Sequence, residues 1–160
     1  HPFAATIFFL ADGIRRLRAI NYDVEEAEEK RGAAGQIASG GASNDLWRGM
    51  SNMGATIEFE TEGGTEAAPM STTPDPAIAI AYGQSSNALL FKIVTTSFMN
   101  RGADIAFLSA FPEESECLYA PLTYLRPTGR KEVLSYAADE VAIDSPPMEF
   151  VVLEVEAQMA

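Results

Sequence analysis

The stretch FPEESECLYAPLTYL, residues 111–125, places three acidic residues in four positions and then becomes apolar. Its parts ECLYA and LTYL are rich in aliphatic and aromatic residues, which indicates short strands. If the acidic end is extended too, Glu114 and Glu116 point to the same side, because side chains alternate along a strand. Two like charges on one side cost stability unless a cation or a reaction uses them. The stretch therefore predicts a strand end that carries a functional pair of carboxylates.

Helical patterns occupy the first part of the chain. Apolar residues recur there at steps of four and three, which predicts a core-facing helix. They are Phe3, Ile7, Leu10, Ile14 and Leu17. The acidic stretch VEEAEEKRG predicts a second helix with a solvated face that ends near Gly32. From Gly32 to Ser43 we expect a flexible connector, because GAAGQIASGGAS lacks the Gly-Lys-Ser/Thr ending of a phosphate loop.

Strand patterns dominate the later part. Short apolar runs separated by Gly, Asn and Ser predict strands at NDLWRGM, ATIEFE, ALLFKIVT and DIAFLSAF. The last run, EFVVLEVEA, is apolar at successive positions and predicts a strand buried on both faces. Between the second and third runs, STTPDPAIAIAYG predicts a helix with Thr73 as its cap, Pro74 at its first position and Gly83 at its end.

The order of these elements predicts the fold class. Helices come first and strands later, without repeated strand-helix-strand units, so we expect one α+β domain over residues 1–160. Its helical part covers about residues 1–40 and its β-rich part about residues 44–160. Because the chain opens with His1 rather than methionine, we expect a processed or excised fragment, whose compartment the sequence does not reveal.

Composition excludes several kinds of function. Eleven basic against 23 acidic residues give a net charge of −12, which opposes binding to nucleic acid. A single cysteine, Cys117, and a single histidine, His1, argue against internal disulfides, multi-cysteine zinc sites and histidine catalysis. No apolar run approaches the ~20 residues that a membrane span needs, so we expect a soluble domain. Any chemistry must therefore use carboxylates and hydroxyls.

Three short elements are candidates for that chemistry: Arg48-Gly49 in a predicted strand, Ser71-Thr72-Thr73 before the capped helix, and Glu114-x-Glu116. Taken singly, each has an ordinary structural explanation. A strand arginine is usually an ion-pair partner, Ser-Thr-Thr before proline is usually a cap, and two nearby glutamates occur by chance in acidic proteins. Their order along the chain is more specific than any one of them.

In that order the elements resemble the mono-ADP-ribosyltransferases of the Arg-Ser-Glu class, which include arginine-directed bacterial toxins. The resemblance covers about residues 44–127, through LWRGM, GGTEAAPMSTTPDPAIAIAYG, LLFKI and RGADIAFLSAFPEESECLYAPLTYL. It implies N-terminal helices packed on a split, mostly antiparallel β-sandwich with a central NAD cleft. The sequence departs from the commonest pattern at Cys117, where an aliphatic residue is usual, and at residues 119–121, where Tyr-Ala-Pro replaces Phe-Pro-Pro.

The resemblance also implies a role for each element. Arg48 is similar to the arginine that contacts the phosphates of NAD, and Gly49 to the residue whose backbone grips the nicotinamide amide. Ser71 resembles the serine that orients the catalytic glutamate, and Glu116 resembles that glutamate. Glu114 resembles the upstream glutamate associated with arginine as the acceptor.

The remaining assignments follow from the same resemblance. Thr72, Thr73 and Arg101 fall among the residues that bind NAD in the family, and Phe111 resembles the aromatic residue that faces the protein substrate. The implied co-substrate is NAD, without a metal, and the implied partner is a protein with an exposed arginine.

This chemistry suits a chain with so few histidines. Nicotinamide leaves NAD as a neutral group, so no general acid is required, and a carboxylate such as Glu116 can stabilise the positive charge that grows on the ribose. Two alternatives remain open at this stage. One is an NAD glycohydrolase, in which water replaces the acceptor, and the other is a catalytically silent nucleotide-binding or interaction module.

Overall fold

A computed structural model describes residues 3–32, 45–95, 100–136 and 148–159. Within these ranges the helices are α1 (Ala4–Gly32), α2 (Ile57–Glu62) and α3 (Pro76–Gly83), and a 3₁₀ turn covers Pro112–Glu114. The strands are β1 (Leu46–Ser51), β2 (Gly64–Glu66), β3 (Met70–Thr72), β4 (Ala88–Ile93), β5 (Ala103–Asp104), β6 (Cys117–Tyr119), β7 (Thr123–Tyr136) and β8 (Met148–Gln158).

The described strands form two sheets. The larger has five strands in the order β1-β4-β8-β7-β2, and the smaller has three in the order β3-β6-β5. Neighbouring strands are antiparallel except for β4 and β8, which run parallel. The predicted α+β class, with an N-terminal helix and mostly antiparallel sheets, is confirmed.

The main core draws on both sheets. Met70 and Tyr119 from the smaller sheet pack in one buried cluster with Phe91 and Val155 from the larger sheet. A second cluster, on the other face of the larger sheet, joins α3 to β4 and β8. β8 supplies Val155 to the first cluster and Phe150 to the second. The prediction that EFVVLEVEA is buried on both faces is therefore confirmed.

The two sheets are connected beside β1. Trp47 N donates to Thr73 O at 2.7 Å, and Thr73 N donates to Trp47 O at 2.9 Å. This pair of bonds holds the end of β3 against β1, so that Arg48 lies beside Ser71. Helix α3 starts just after Thr73 and packs on β1 and β4, which leaves a cleft at the junction of the sheets.

The N-terminal helix differs from the prediction in two ways. It is continuous over Ala4–Gly32 where two helices were expected. Of the predicted core-facing stripe, Ile14 is buried and Leu17 is partly buried, whereas Phe3, Ile7 and Leu10 are exposed. Ile14 and Leu17 are covered because they pack with Ala103, Leu118 and Ala120 at the smaller sheet. No described helix is long and apolar enough to cross a membrane.

Two predicted strands are wrong. ATIEFE forms helix α2, because Thr56 Oγ1 accepts from Phe59 N at 3.2 Å and so caps the helix, while Gly63, with a φ of 81°, ends it. In DIAFLSAF only Asp104 belongs to a strand, since its carboxylate accepts from Ala106 N at 2.9 Å and turns the chain.

The predicted cap of α3 is displaced by two residues. Asp75 caps the helix by accepting from Ala77 N at 2.8 Å, and Pro76 takes the first helical position. Thr73 instead donates its hydroxyl to the carbonyl oxygen of Glu114, in the loop before β6. The helix ends at Gly83 as predicted. The connector predicted after Gly32 lies outside the described residues.

Candidate active site

A cleft of about 530 Å³ opens where β1, the Ser71–Thr73 segment, α3 and the loop before β6 meet. Its walls carry both polar and apolar side chains. Besides the backbone of Gly49, the residues that line it include Arg48, Ser71, Thr72, Thr73, Tyr82, Phe111, Glu114 and Glu116. All the site residues predicted from the sequence therefore line this one cavity, except Arg101.

Arg48 supplies the positive charge of the cleft. It lies in β1, half buried, and its Nη1 donates to Ser71 O at 3.1 Å. Its Nε is buried and makes no hydrogen bond within the described part of the chain. Because the arginine lines the cleft and is always charged, its guanidinium is suited to an anionic ligand there.

Gly49 lets α3 lie directly on β1. A Cβ at this position would be 1.7 Å from the carbonyl oxygen of Ala79 and 2.9 Å from the backbone nitrogen of Gly83. Only a residue without a side chain permits this approach. The glycine thereby fixes the distance between the strand that carries Arg48 and the helix that forms the opposite wall.

Thr72 and Thr73 hold the acidic loop in place. Thr72 Oγ1 donates to Cys117 O at 2.6 Å in the interior, and Thr73 Oγ1 donates to Glu114 O at 2.7 Å. Both threonines line the cleft, yet these hydroxyl protons go to the backbone of the segment that carries the two glutamates. Their observed contacts are those of residues that position the acids.

The backbone around the two glutamates is not the extended strand that the sequence predicts. Glu114 ends the 3₁₀ turn, Ser115 adopts a left-handed conformation with a φ of 50°, and Glu116 immediately precedes β6. The predicted extended conformation is thus wrong at Glu114. The left-handed residue between the acids nevertheless turns both toward the cavity, where each is half buried.

Glu116 is held by a hydroxyl that the sequence reading missed. Ser109 Oγ donates to Glu116 Oε2 at 3.0 Å and itself accepts from Phe111 N at 3.2 Å. Ser71, which was expected to hold this glutamate, lines the same cleft but makes no hydrogen bond to Glu116 within the described residues. Ser109 lies in an irregular turn seven positions before Glu116, so no periodic pattern indicates the contact.

Glu114 is also held by a residue that was missed. Tyr82, in the last turn of α3, donates its hydroxyl to Glu114 Oε1 at 2.8 Å. The hydrogen bond to Glu114 raises the pKa of the Tyr82 phenol above its ordinary value, and the nearby carboxylate charges act in the same direction. The phenol therefore stays a proton donor throughout the neutral pH range.

Phe111 and Arg101 lie in different surroundings. Phe111 lines the cleft and is 55% exposed. Arg101 does not line this cleft; its carbonyl oxygen accepts from Arg18 Nε of α1 at 2.8 Å. The expected contact of Arg101 with NAD is therefore unsupported by the geometry of the cavity.

No protein-family model matches the chain, and no curated protein gives a significant match. Several solved structures are similar, among them ADP-ribosyltransferases. Vis from Vibrio splendidus, in complex with agmatine, is 21% identical with a TM-score of 0.45 over 74% of this chain and 51% of that chain. HopU1 of Pseudomonas syringae is 19% identical with a TM-score of 0.43, over 71% of this chain and 45% of that chain. The chain spans about half the length of these proteins.

Proposed function

We propose that this domain transfers ADP-ribose from NAD to arginine side chains of target proteins and releases nicotinamide. The observation that carries the proposal is the cleft in which Arg48, Ser71, Glu114 and Glu116 meet. Its volume of about 530 Å³ lies within the range of ~300–1,000 Å³ common for small-molecule sites. The four side chains come from three separate segments, so their convergence results from the tertiary fold.

Arg48 is assigned to the phosphates of NAD. Its half-buried side chain lines the cleft, and an arginine holds a phosphate through two parallel hydrogen bonds. The neighbouring Gly49 carries no side chain, so a ligand can approach the backbone of β1 closely. These features fit a dinucleotide better than a neutral ligand.

Glu116 is assigned to the ribose next to nicotinamide. When the bond to nicotinamide breaks, positive charge develops on the ribose, and a fixed carboxylate stabilises it. A full charge ~4 Å away at an effective dielectric of ~20 contributes about 4 kcal/mol, or about a thousandfold in rate. The hydrogen bond from Ser109 holds the carboxylate in place before the substrate binds.

Glu114 is assigned to the acceptor. The guanidinium of arginine is planar and always protonated, and it binds a carboxylate through two hydrogen bonds. The bond from ribose to nicotinamide breaks, a bond from ribose to a guanidinium nitrogen forms, and the proton lost by that nitrogen passes to Glu114. Phe111, which lines the cleft and is exposed, is assigned to contact with the surface of the target protein.

The products distinguish transfer from hydrolysis. The domain is incubated with NAD and agmatine, a small guanidine, and the products are measured by mass spectrometry. We expect ADP-ribosyl-agmatine as the main product, and we expect Glu114→Gln to shift the products toward free ADP-ribose. Glu113→Gln is the matched control, because Glu113 lies in the same turn but is exposed and does not line the cleft. Free ADP-ribose as the main product of the parent protein would establish an NAD glycohydrolase instead, and no nicotinamide release would refute the proposal.

A further inference from the structure

Tyr82 lines the cleft beside Glu114, and the proposed reaction assigns it no role. Its ring lines the cavity and its hydroxyl is 2.8 Å from Glu114 Oε1. No other hydrogen bond reaches the Glu114 carboxylate from the described residues, so Tyr82 alone sets its orientation there. The tyrosine is 57% exposed and therefore accessible to a protein side chain that enters the cleft.

The position of Tyr82 is fixed by the helix that carries it. Asp75 caps the start of α3, and the backbone of Ala79 lies against Gly49. Gly83, directly after Tyr82, is buried against Phe150. The Cα atom of Tyr82 is thereby fixed relative to the larger sheet, even though its ring reaches the surface.

The acidic loop is fixed just as closely. Thr73 Oγ1 binds the carbonyl oxygen of Glu114 at 2.7 Å, and Ile105 N binds that of Glu116 at 3.0 Å. The Tyr82–Glu114 bond thus joins two supported segments across the cleft. Such a bond presents a preformed pair of oxygen atoms at one place on the cleft wall.

We propose that Tyr82 and Glu114 together bind the guanidinium of the acceptor, so that Tyr82 is a specificity-determining residue. This inference rests on the proposed transfer to arginine. The tyrosine hydroxyl donates a hydrogen bond to Glu114 and has lone pairs that can accept hydrogen bonds. A guanidinium has five N–H donors in a planar fork, so it can bind the free carboxylate oxygen and the phenol oxygen at once.

Charge and hydrogen bonding both suit this pairing. A neutral phenol and one carboxylate carry a single negative charge, which balances the single positive charge of arginine. A hydroxyl that donates to a carboxylate also becomes a better acceptor, because chains of hydrogen bonds polarise one another. A lysine ammonium lacks the planar fork, so the pair favours arginine over lysine.

Tyr82→Phe removes the hydroxyl and keeps the ring. We expect the KM for agmatine to rise about tenfold, the effect of losing one hydrogen bond to a charged group, with a smaller change in kcat. Tyr124→Phe is the matched control, since the Tyr124 hydroxyl binds Glu62 O and lines no part of the cleft. That variant should keep the KM of the parent protein.

Two further measurements make the test specific. The affinity for agmatine can be measured without NAD by NMR titration. It should be about tenfold weaker in Tyr82→Phe and unchanged in Tyr124→Phe. If the pair acts as one unit, Tyr82→Phe should change the KM by less than about twofold when Glu114→Gln is already present. Equal agmatine affinity in Tyr82→Phe and the parent, or full additivity of the two changes, would overturn the inference. Failure of the parent to release nicotinamide would refute the proposed function, while the titration without NAD would still test the role of Tyr82.

Discussion

Gly49→Ala perturbs the contact that sets the width of the cleft. The added Cβ would lie 1.7 Å from Ala79 O and 2.8 Å from Ala79 C, and both obstacles are backbone atoms that cannot rotate away. To restore van der Waals distance, α3 would have to retreat by roughly 2 Å from β1. Overpacking of this kind costs about 1–3 kcal/mol, and the rigid obstacle places Gly49→Ala near the upper end.

We expect Gly49→Ala to lower both the melting temperature and the rate of nicotinamide release. For a chain of this length a loss of ~3 kcal/mol lowers the melting temperature by roughly 6–12 °C, as followed by circular dichroism. The retreat would also move the α3 wall of the cleft away from β1, which carries Arg48, and misplacement by ~1 Å costs about a hundredfold in rate. Nicotinamide release should therefore fall by about that factor at temperatures where the variant is folded.

Gly13→Ala is the control for Gly49→Ala. Gly13 lies in α1, and a Cβ there would meet nothing within 4 Å. Alanine in a helix interior stabilises by about 0.5–1 kcal/mol relative to glycine, so this variant should melt slightly higher than the parent with unchanged activity. A Gly49→Ala protein with the melting temperature and activity of the parent would refute the reasoning.

Substitutions at three other residues test separate contacts. Ser109→Ala should lower the kcat of nicotinamide release about tenfold with little change in the KM for NAD, because it removes the hydrogen bond that holds the Glu116 carboxylate. Ser109→Thr, which keeps a hydroxyl, should restore most of the rate. An unchanged kcat in Ser109→Ala would contradict this role. Asp75→Ala should lower the free energy of unfolding by about 1 kcal/mol in urea titrations, since it removes the cap of α3, whereas Asp75→Asn should keep most of the stability. Burial opposes ionisation of Glu154, but hydrogen bonds from Thr128 and Lys92 and the charge of Arg130 outweigh it and lower the pKa of this carboxyl. The stabilisation from Glu154 should therefore be complete above the ordinary glutamate pKa and be lost as the pH falls through the lowered value. Urea unfolding at a series of pH values should show a weaker acid dependence in Glu154→Gln, and equal slopes would contradict the assignment.

The fold class and most strands follow from the sequence because their signals are local. EFVVLEVEA and ALLFKIVT are long apolar runs, and Gly83 ends its helix in the predicted place. ATIEFE alternates like a strand, but the cap at Thr56 and the glycine at position 63 decide for a helix. The exposure of Phe3 and Ile7 was not predictable, because it depends on how far a three-stranded sheet extends along α1.

The candidate site, too, was predictable from the sequence only in part. Order along the chain was enough to single out Arg48, Ser71 and the two glutamates, all of which line the cleft. Ser109 and Tyr82 could not be found in this way, because their contacts depend on a left-handed residue at Ser115 and on the packing of α3. A serine in a turn and a tyrosine in a short helix carry no spacing that distinguishes them from ordinary surface residues.

The most direct test of the central claim is the rate of nicotinamide release by Glu116→Gln, measured by chromatography at saturating NAD beside Glu113→Gln. Glutamine keeps the size of the side chain and its ability to accept from Ser109 but removes the charge. We predict a rate about a thousandfold below that of the parent, with an unchanged melting temperature, and an unchanged rate in Glu113→Gln. If Glu116→Gln released nicotinamide at more than about a tenth of the parent rate, the negative charge at this position would not be what drives the reaction.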